Sequence, residues 1–229
     1  MKIYFVRHGH PDYEKDCLTE LGQRQAAAAA ERLRDSGIER IFASTHGRAM
    51  QTAAYTAELL GLDVVPCDFM REIGWGSTTD EPLPANGHPW TMSNGHVRNG
   101  ETLTDRDWRE SKDYATNQAV KRIKTVTDGV DAWLASLGYV REGEYYRVTG
   151  EEPCKAVAMF SHGGASIATL SHLFNLPFPQ LVAILCMHFT SVTVVNLAGE
   201  AGTLTCPQLY LYDSMYLTNE KETAPTYGT

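Results

Sequence analysis

The N-terminal run Ile3-Tyr4-Phe5-Val6-Arg7-His8-Gly9 begins as four apolar, β-favouring residues with no polar alternation. That pattern describes a strand buried on both faces, as in the middle of an α/β sheet. It stops abruptly at an arginine, a histidine and a glycine. A second stretch is built the same way: Ala156 to Phe160 is an apolar run, followed by Ser161-His162-Gly163-Gly164. In open α/β sheets ligands bind outside the carboxyl ends of the strands. Two histidines at such ends can therefore converge on one site although they are far apart in the chain.

Between these stretches the pattern alternates. Thr19 caps a helix predicted from Glu20 to about Asp35, with Gly37 placed to end it. Arg40 to Ala43 reads as a strand, Ser44 to Gly47 as a turn, Arg48 to Leu60 as a helix closed by Gly61, and Leu62 to Val65 as a strand ended by Pro66. Strands alternating with helices imply βαβ units and a largely parallel sheet. From Pro66 to Gly100 prolines and glycines point to a long loop. A helical region, in one piece or two, is expected again from near Glu101 to about Leu137, with Ala119, Ile123, Val126, Val130, Trp133, Leu134 and Leu137 on one apolar face. Tyr139 to Val148 reads as a hairpin, Ser161 is followed by a helix to about Phe174, and Ser191 to Leu197 and Leu204 to Tyr212 read as closing strands. The tail after Leu217 reads as frayed. The expected architecture is one three-layer α/β/α domain over residues 1–229 with a mostly parallel central sheet. An inserted loop-and-helix region, about 66–150, is expected to form a cap over the site.

The composition is that of a soluble globular protein, 43% hydrophobic and 21% charged over 229 residues. A net charge of −8 speaks against wrapping nucleic acid or lying on an anionic membrane. It does not speak against a small anion in a locally positive pocket. Five cysteines in no Cys-x-x-Cys spacing read as reduced thiols. No signal peptide or membrane span is legible, so a cytoplasmic location is expected.

Arginines accompany the histidines. Arg7 adjoins His8, and Arg48 opens the helix after the second strand. A guanidinium matches phosphate bidentately, and a helix N-terminus favours an anion. Gly9, Gly163 and Gly164 would let backbone approach that anion. The residue types therefore describe a seat for a dianionic phosphoryl group.

Five segments resemble the histidine phosphatase superfamily, on the branch containing the phosphoglycerate mutases. They are Val6-Arg7-His8-Gly9; Leu18-Thr19-Glu20-Leu21-Gly22-Gln23-Arg24-Gln25-Ala26; Ser44-Thr45-His46-Gly47-Arg48-Ala49-Met50-Gln51-Thr52-Ala53; Arg71-Glu72-Ile73 with Gly76; and Ser161-His162-Gly163-Gly164. They occur in family order. The resemblance implies a phosphoglycerate mutase-like fold and a metal-independent phosphatase without a cofactor, acting on a small phosphorylated metabolite. It implies that His8 attacks phosphorus, that Arg7, Arg48, His162 and Gly163 hold the phosphoryl oxygens, and that Glu72 protonates the leaving oxygen. An acid with that task must keep a proton near neutral pH, which burial and the neighbouring phosphate both favour.

One segment departs from the pattern. Relatives read R-H-G-E-T-x-x-N, whereas this chain continues His10-Pro11-Asp12-Tyr13-Glu14. Pro11 offers no N–H and Glu14 is repulsive where asparagine would attract, so the loop must bind phosphate differently or turn its acids away. His10 is expected to face solvent. Mutases carry an Arg-Arg pair in the insert; here Arg98, Arg106 and Arg109 are interspersed with acids, which favours hydrolysis. Phosphoglycerate mutase-type transfer and a non-catalytic phospholigand-binding relative are the alternatives. The second is disfavoured because every catalytic position of the family is filled. Tyr13, Trp75 and Trp90 are aromatic candidates for contact with the rest of the substrate.

Overall fold

The computed structural model describes residues 1–150 and 154–214; the predicted frayed tail after Leu217 lies outside them. The strands are β1 (Lys2–Arg7), β2 (Pro11–Asp12), β3 (Cys17–Leu18), β4 (Arg40–Ser44), β5 (Val64–Cys67), β6 (Tyr139–Glu142), β7 (Tyr145–Val148), β8 (Ala156–Ser161), β9 (Val192–Asn196), β10 (Leu204–Thr205) and β11 (Gln208–Asp213). The helices are α1 (Glu20–Leu33), α2 (Gly47–Leu60), α3 (Pro89–Arg98), α4 (Gln118–Ser136), α5 (Gly163–Phe174) and α6 (Phe178–Ile184).

Six strands form the central sheet in the order β11-β9-β1-β8-β4-β5. β1 pairs in parallel with β8, β8 with β4, and β4 with β5; β9 alone runs antiparallel to both its neighbours. Side chains of a strand alternate between faces, and β1 shows the consequence. Ile3 and Phe5 join the core under α4 and α5, whereas Tyr4 and Val6 join the core under α1 and α2. The three layers follow from this two-sided burial. Each wholly buried side chain such as Phe5 contributes about 1.5–3 kcal/mol of hydrophobic stabilisation.

Several boundaries differ from expectation. α1 ends at Leu33, before Gly37. Pro66 lies inside β5 rather than ending it; β5 is an edge strand, where proline's missing N–H costs no ladder bond. The supposed loop of 66–100 contains α3, because Pro89 sits in the first turn behind a His88 cap, a position where proline starts a helix. The next helix begins at Gln118, capped by Asn117, not near Glu101. The expected single strand from Leu204 divides: β10 pairs with β7 in a small sheet with β6, and β11 pairs with β9.

α4 belongs to the helical layer of the sandwich and not to an insert. Ile123, Val126, Val130 and Leu134 are fully buried, and Trp133 packs edge-on against Phe42 of β4. The region outside the sandwich is thus shorter than 66–150.

Candidate active site

The sheet order places the carboxyl ends of β1, β8 and β4 side by side, with Arg7 opposite Ser161 in the ladder. His8 and His162 each follow their strand by one residue. Their rings meet edge-on with centroids 5.1 Å apart. His8 is 1% exposed and His162 is fully buried.

His8 Nδ1 lies 2.7 Å from the Gly9 carbonyl oxygen. A carbonyl only accepts, so Nδ1 carries the proton and Nε2 presents its lone pair. Arg48 Nε donates to that Nε2 at 3.3 Å. Burial first, then the Arg7 charge, holds the His8 imidazole well below its ordinary pKa; the Gly9 bond opposes them, and the Arg48 charge adds to the lowering. His8 is therefore neutral at neutral pH. His162 is likewise lowered, by burial first and then by His8 and Arg48. Its Nε2 bonds Ser44 Oγ at 2.7 Å, and its Nδ1 has no hydrogen-bond partner among the described residues. A buried, unsatisfied ring nitrogen beside His8 suits a ligand atom.

Arg7 is buried at the end of β1, with its guanidinium 4.2 Å from the Phe189 ring centroid and Nη1 donating to the Met187 carbonyl. A Cβ at Gly163 would lie 3.6 Å from that guanidinium, so Gly163 backs directly onto Arg7. Arg48 is 7% exposed in the first turn of α2.

Glu72 arrives from another direction. Its Oε1 accepts from the amides of Ile73 and Ala165, both at 2.9 Å, and its Oε2 from Gly164 at 3.3 Å. The carboxylate thus sits on the N-terminal turn of α5, next to Gly163. Gly164 is needed there, since a Cβ would come within 2.7 Å of Glu72 Oε1. The segment is pinned on two sides. Arg122 of α4 donates to the carbonyls of Asp68, Phe69 and Arg71, and Ser161 Oγ donates to that of Met70 at 2.8 Å.

The structure thus gathers Arg7, His8, Arg48, His162, Gly163 and Glu72 around one end of the sheet. Gly9 has a different reason from the one expected: a Cβ there would strike the Gly22 carbonyl oxygen at 2.5 Å, so it serves the packing of the strand end on α1. His10 is half-buried, bonded to Thr19 Oγ1 at 3.0 Å and packed on Phe189, and does not simply face solvent. Trp75 and Trp90 pack with His88 in an aromatic cluster. Tyr13 remains 65% exposed, with its ring over Arg48.

Sequence reasoning assigned no role to Ser44, Asp16, Phe189 or Arg122. Ser44 opens the segment Ser44 to Ala53, which is a signal for it; Phe189 and Arg122 carry no local signal. No group of three or more His, Cys, Asp or Glu side chains is arranged to hold a metal among the described residues, and no single helix there is long and apolar enough to cross a membrane.

A family model for the histidine phosphatase superfamily (branch 1) matches residues 3–208. A probable phosphoglycerate mutase GpmB of Yersinia pestis (strain Pestoides F) is 32% identical over 123 residues, 46% of this chain and 57% of that protein. The match thus spans little more than half the length of the curated relative. A mycobacterial glucosyl-3-phosphoglycerate phosphatase in its native form is 26% identical with a TM-score of 0.63, over 92% of this chain and 97% of that one. A phosphoserine phosphatase from Entamoeba histolytica, solved with 3-phosphoglyceric acid, shares the fold at a TM-score of 0.59 and 18% identity, over 93% and 96% of the two chains. The matched residues take in β1, β4, β8 and all five ordered motifs, and on that extent the chain belongs to the histidine phosphatase superfamily, branch 1.

Proposed function

We propose that this protein is a phosphatase that hydrolyses a small phosphomonoester through a phosphohistidine on His8. The observation that carries this reading is the His8 imidazole itself. Its proton is committed to the Gly9 carbonyl, and its Nε2 lone pair faces the Arg48 guanidinium inside a buried, cationic pocket.

In the first step Nε2 attacks phosphorus and the P–O ester bond breaks. Arg7, Arg48, His162 and the backbone at Gly163 bind the phosphoryl oxygens and offset the charge that develops on them. Glu72 gives its proton to the leaving oxygen. In the second step water attacks phosphorus, Glu72 takes a proton from that water, and the N–P bond breaks to release phosphate. Oε1 of Glu72 is occupied by two short amide bonds and Oε2 by one longer bond, so Oε2 is the oxygen assigned to proton transfer. The chain's own cations hold the phosphoryl charge, and the reading invokes no metal or cofactor.

Hydrolysis is favoured over phosphoglycerate mutation by where the insert's arginines lie. Arg106 pairs with Glu144. Arg106 and Arg109 line a cavity of about 210 Å³ together with Arg141 and His172, and no residue of the His8 cluster lines it. Their seat in that separate cavity supports the reading that they do not serve a substrate carboxylate beside His8. A cytoplasmic setting is part of the proposal, supported by five unpaired thiols.

The test is phosphate release from a panel of phosphorylated metabolites, with acid quenching to trap a phosphoenzyme on the His8 peptide. Release together with an acid-labile phosphohistidine supports the reading. Interconversion of phosphoglycerate isomers outpacing free phosphate would overturn it in favour of a mutase. Binding without turnover would leave a phospholigand-binding relative.

A further inference from the structure

The loop after His8 carries three acids, Asp12, Glu14 and Asp16, beside a pocket that must attract an anion. The structure disposes of them in three ways. Asp12 Oδ1 accepts from the amides of Glu14 and Lys15, at 3.1 and 3.2 Å, and so closes a turn. Glu14 points to solvent. Asp16 turns inward, on a backbone with φ of +49°.

The Asp16 carboxylate meets the start of α2. Its Oδ2 accepts from the Gly47 amide at 2.7 Å and lies 3.3 Å from His46 Nδ1; its Oδ1 accepts from Arg48 Nη1. The approach is close enough that a Cβ on Gly47 would stand 2.2 Å from the Asp16 carbonyl oxygen. The loop is further tied to α2 by Leu18, whose amide donates to Gln51 Oε1 at 2.7 Å.

A guanidinium presents Nε–H and one Nη2–H along the same edge, the fork that grips two oxygens of a phosphate. Nη1 lies off that edge. Asp16 takes Nη1, while Nε is directed at His8 Nε2. The acid therefore consumes the donor that the phosphoryl group does not need and leaves the fork facing the nucleophile. Tyr13 covers the guanidinium face, 5.3 Å from ring centroid to Cζ.

We propose that Asp16 is a positioning residue: it anchors Arg48 through Nη1 and thereby aims the Nε–Nη2 edge at the place where the phosphoryl oxygens sit beside His8. The proposal rests on the phosphatase reading for its consequence in catalysis, but not for the placement of Arg48. It accounts for the loop's departure from the family pattern. The attraction lost where Glu14 stands in place of asparagine is offset by an arginine held in one orientation.

The test is a double-mutant cycle. Asp16→Ala and Asp16→Asn are made in the wild-type and Arg48→Ala backgrounds, with Glu14→Gln as control. Turnover of 4-nitrophenyl phosphate and inhibition by orthovanadate and inorganic phosphate are measured, with the Arg48 Nε–H resonance followed in the ligand-free protein. Asp16→Ala is expected to lower kcat by about tenfold to a hundredfold with KM changed less, because orientation counts most in the transition state. Vanadate, which resembles that state, should weaken more than phosphate. In the Arg48→Ala background Asp16→Ala should cost nothing further, and Glu14→Gln should change nothing. The Arg48 Nε–H signal should lose its hydrogen-bonded shift in Asp16→Ala.

Equal losses in both backgrounds would overturn the proposal. So would tighter phosphate binding by Asp16→Ala, which would mark Asp16 as a competing anion. If the wild type hydrolyses no phosphomonoester, the phosphatase reading falls, and the Arg48 resonance still decides: an unchanged signal in Asp16→Ala overturns the positioning role.

Discussion

Arg7, His8 and His162 stand at or just beyond strand ends, whereas Glu72 and Asp16 come from loops, and the two groups are held by different forces. The strand-end group is placed by the ladder: Arg7 faces Ser161 across a parallel register, and the His8 amide donates to the Ser161 carbonyl at 2.9 Å. The loop group is placed by side chains that reach across the fold. Arg122 and Ser161 hold the backbone before Glu72, and Asp16 is held by α2. Register is shared among many bonds and resists single substitutions. A loop pinned by two or three side chains does not. The proposed nucleophile, His8, should therefore be sensitive mainly to its own replacement, while the proposed acid, Glu72, should be sensitive to changes well away from it.

The largest effect expected is that of His8→Ala, which should lower phosphomonoester turnover by at least about 1,000-fold while leaving the fold intact. Retained turnover would break the assignment of the nucleophile to the strand-end group. Next is Glu72→Gln, expected to slow alkyl phosphates by about 100-fold or more, and activated aryl phosphates far less, because good leaving groups need little acid. Equal losses on both substrate types would move the acid elsewhere.

Gly129→Ala sharpens the contrast from a distance. A Cβ at that position of α4 would fall 2.3 Å from the Phe69 ring, three residues before Glu72. Thermal denaturation should show a loss of about 1–3 kcal/mol from overpacking. Alkyl phosphate turnover should fall more than aryl phosphate turnover, the same bias expected of Glu72→Gln. A stability loss with no such bias would mean that the 68–72 segment adjusts without moving the acid.

The smallest effect is on the pH dependence of stability. His8 and His162 are both held neutral by burial in the fold, whereas in the unfolded chain they titrate near the ordinary 6.5. Below that pH the unfolded state binds more protons, so stability falls as the pH drops through 6.5 and below it. Tm should decrease from pH 7.5 to pH 5, and His8→Asn should flatten that slope. An unchanged slope in the variant would show that the strand-end histidines are not the groups that resist protonation.

Much of this arrangement is legible in the sequence. The Ile3 to Val6 and Ala156 to Phe160 runs are buried strands, because only a sheet covered on both sides accommodates unbroken apolar residues. The apolar face named for α4 is the buried one, because a helical period survives in sequence whatever it packs against. α3 escaped because the signals that start a helix at Pro89 also read as breakers. The split of the last strand escaped because strand partners are not encoded locally.

The layers, the strand-end histidines and the family follow from the order of residues alone, since they depend on local period and on motifs that lie in sequence along the chain. The tautomer of His8, the seating of Glu72 on the α5 amides, and the choice among three loop acids of the one that turns inward to Arg48 emerge from the folded arrangement. Each of those depends on an atom contributed by a residue distant in the chain or on the direction of one backbone group. Residue type and spacing do not carry that information.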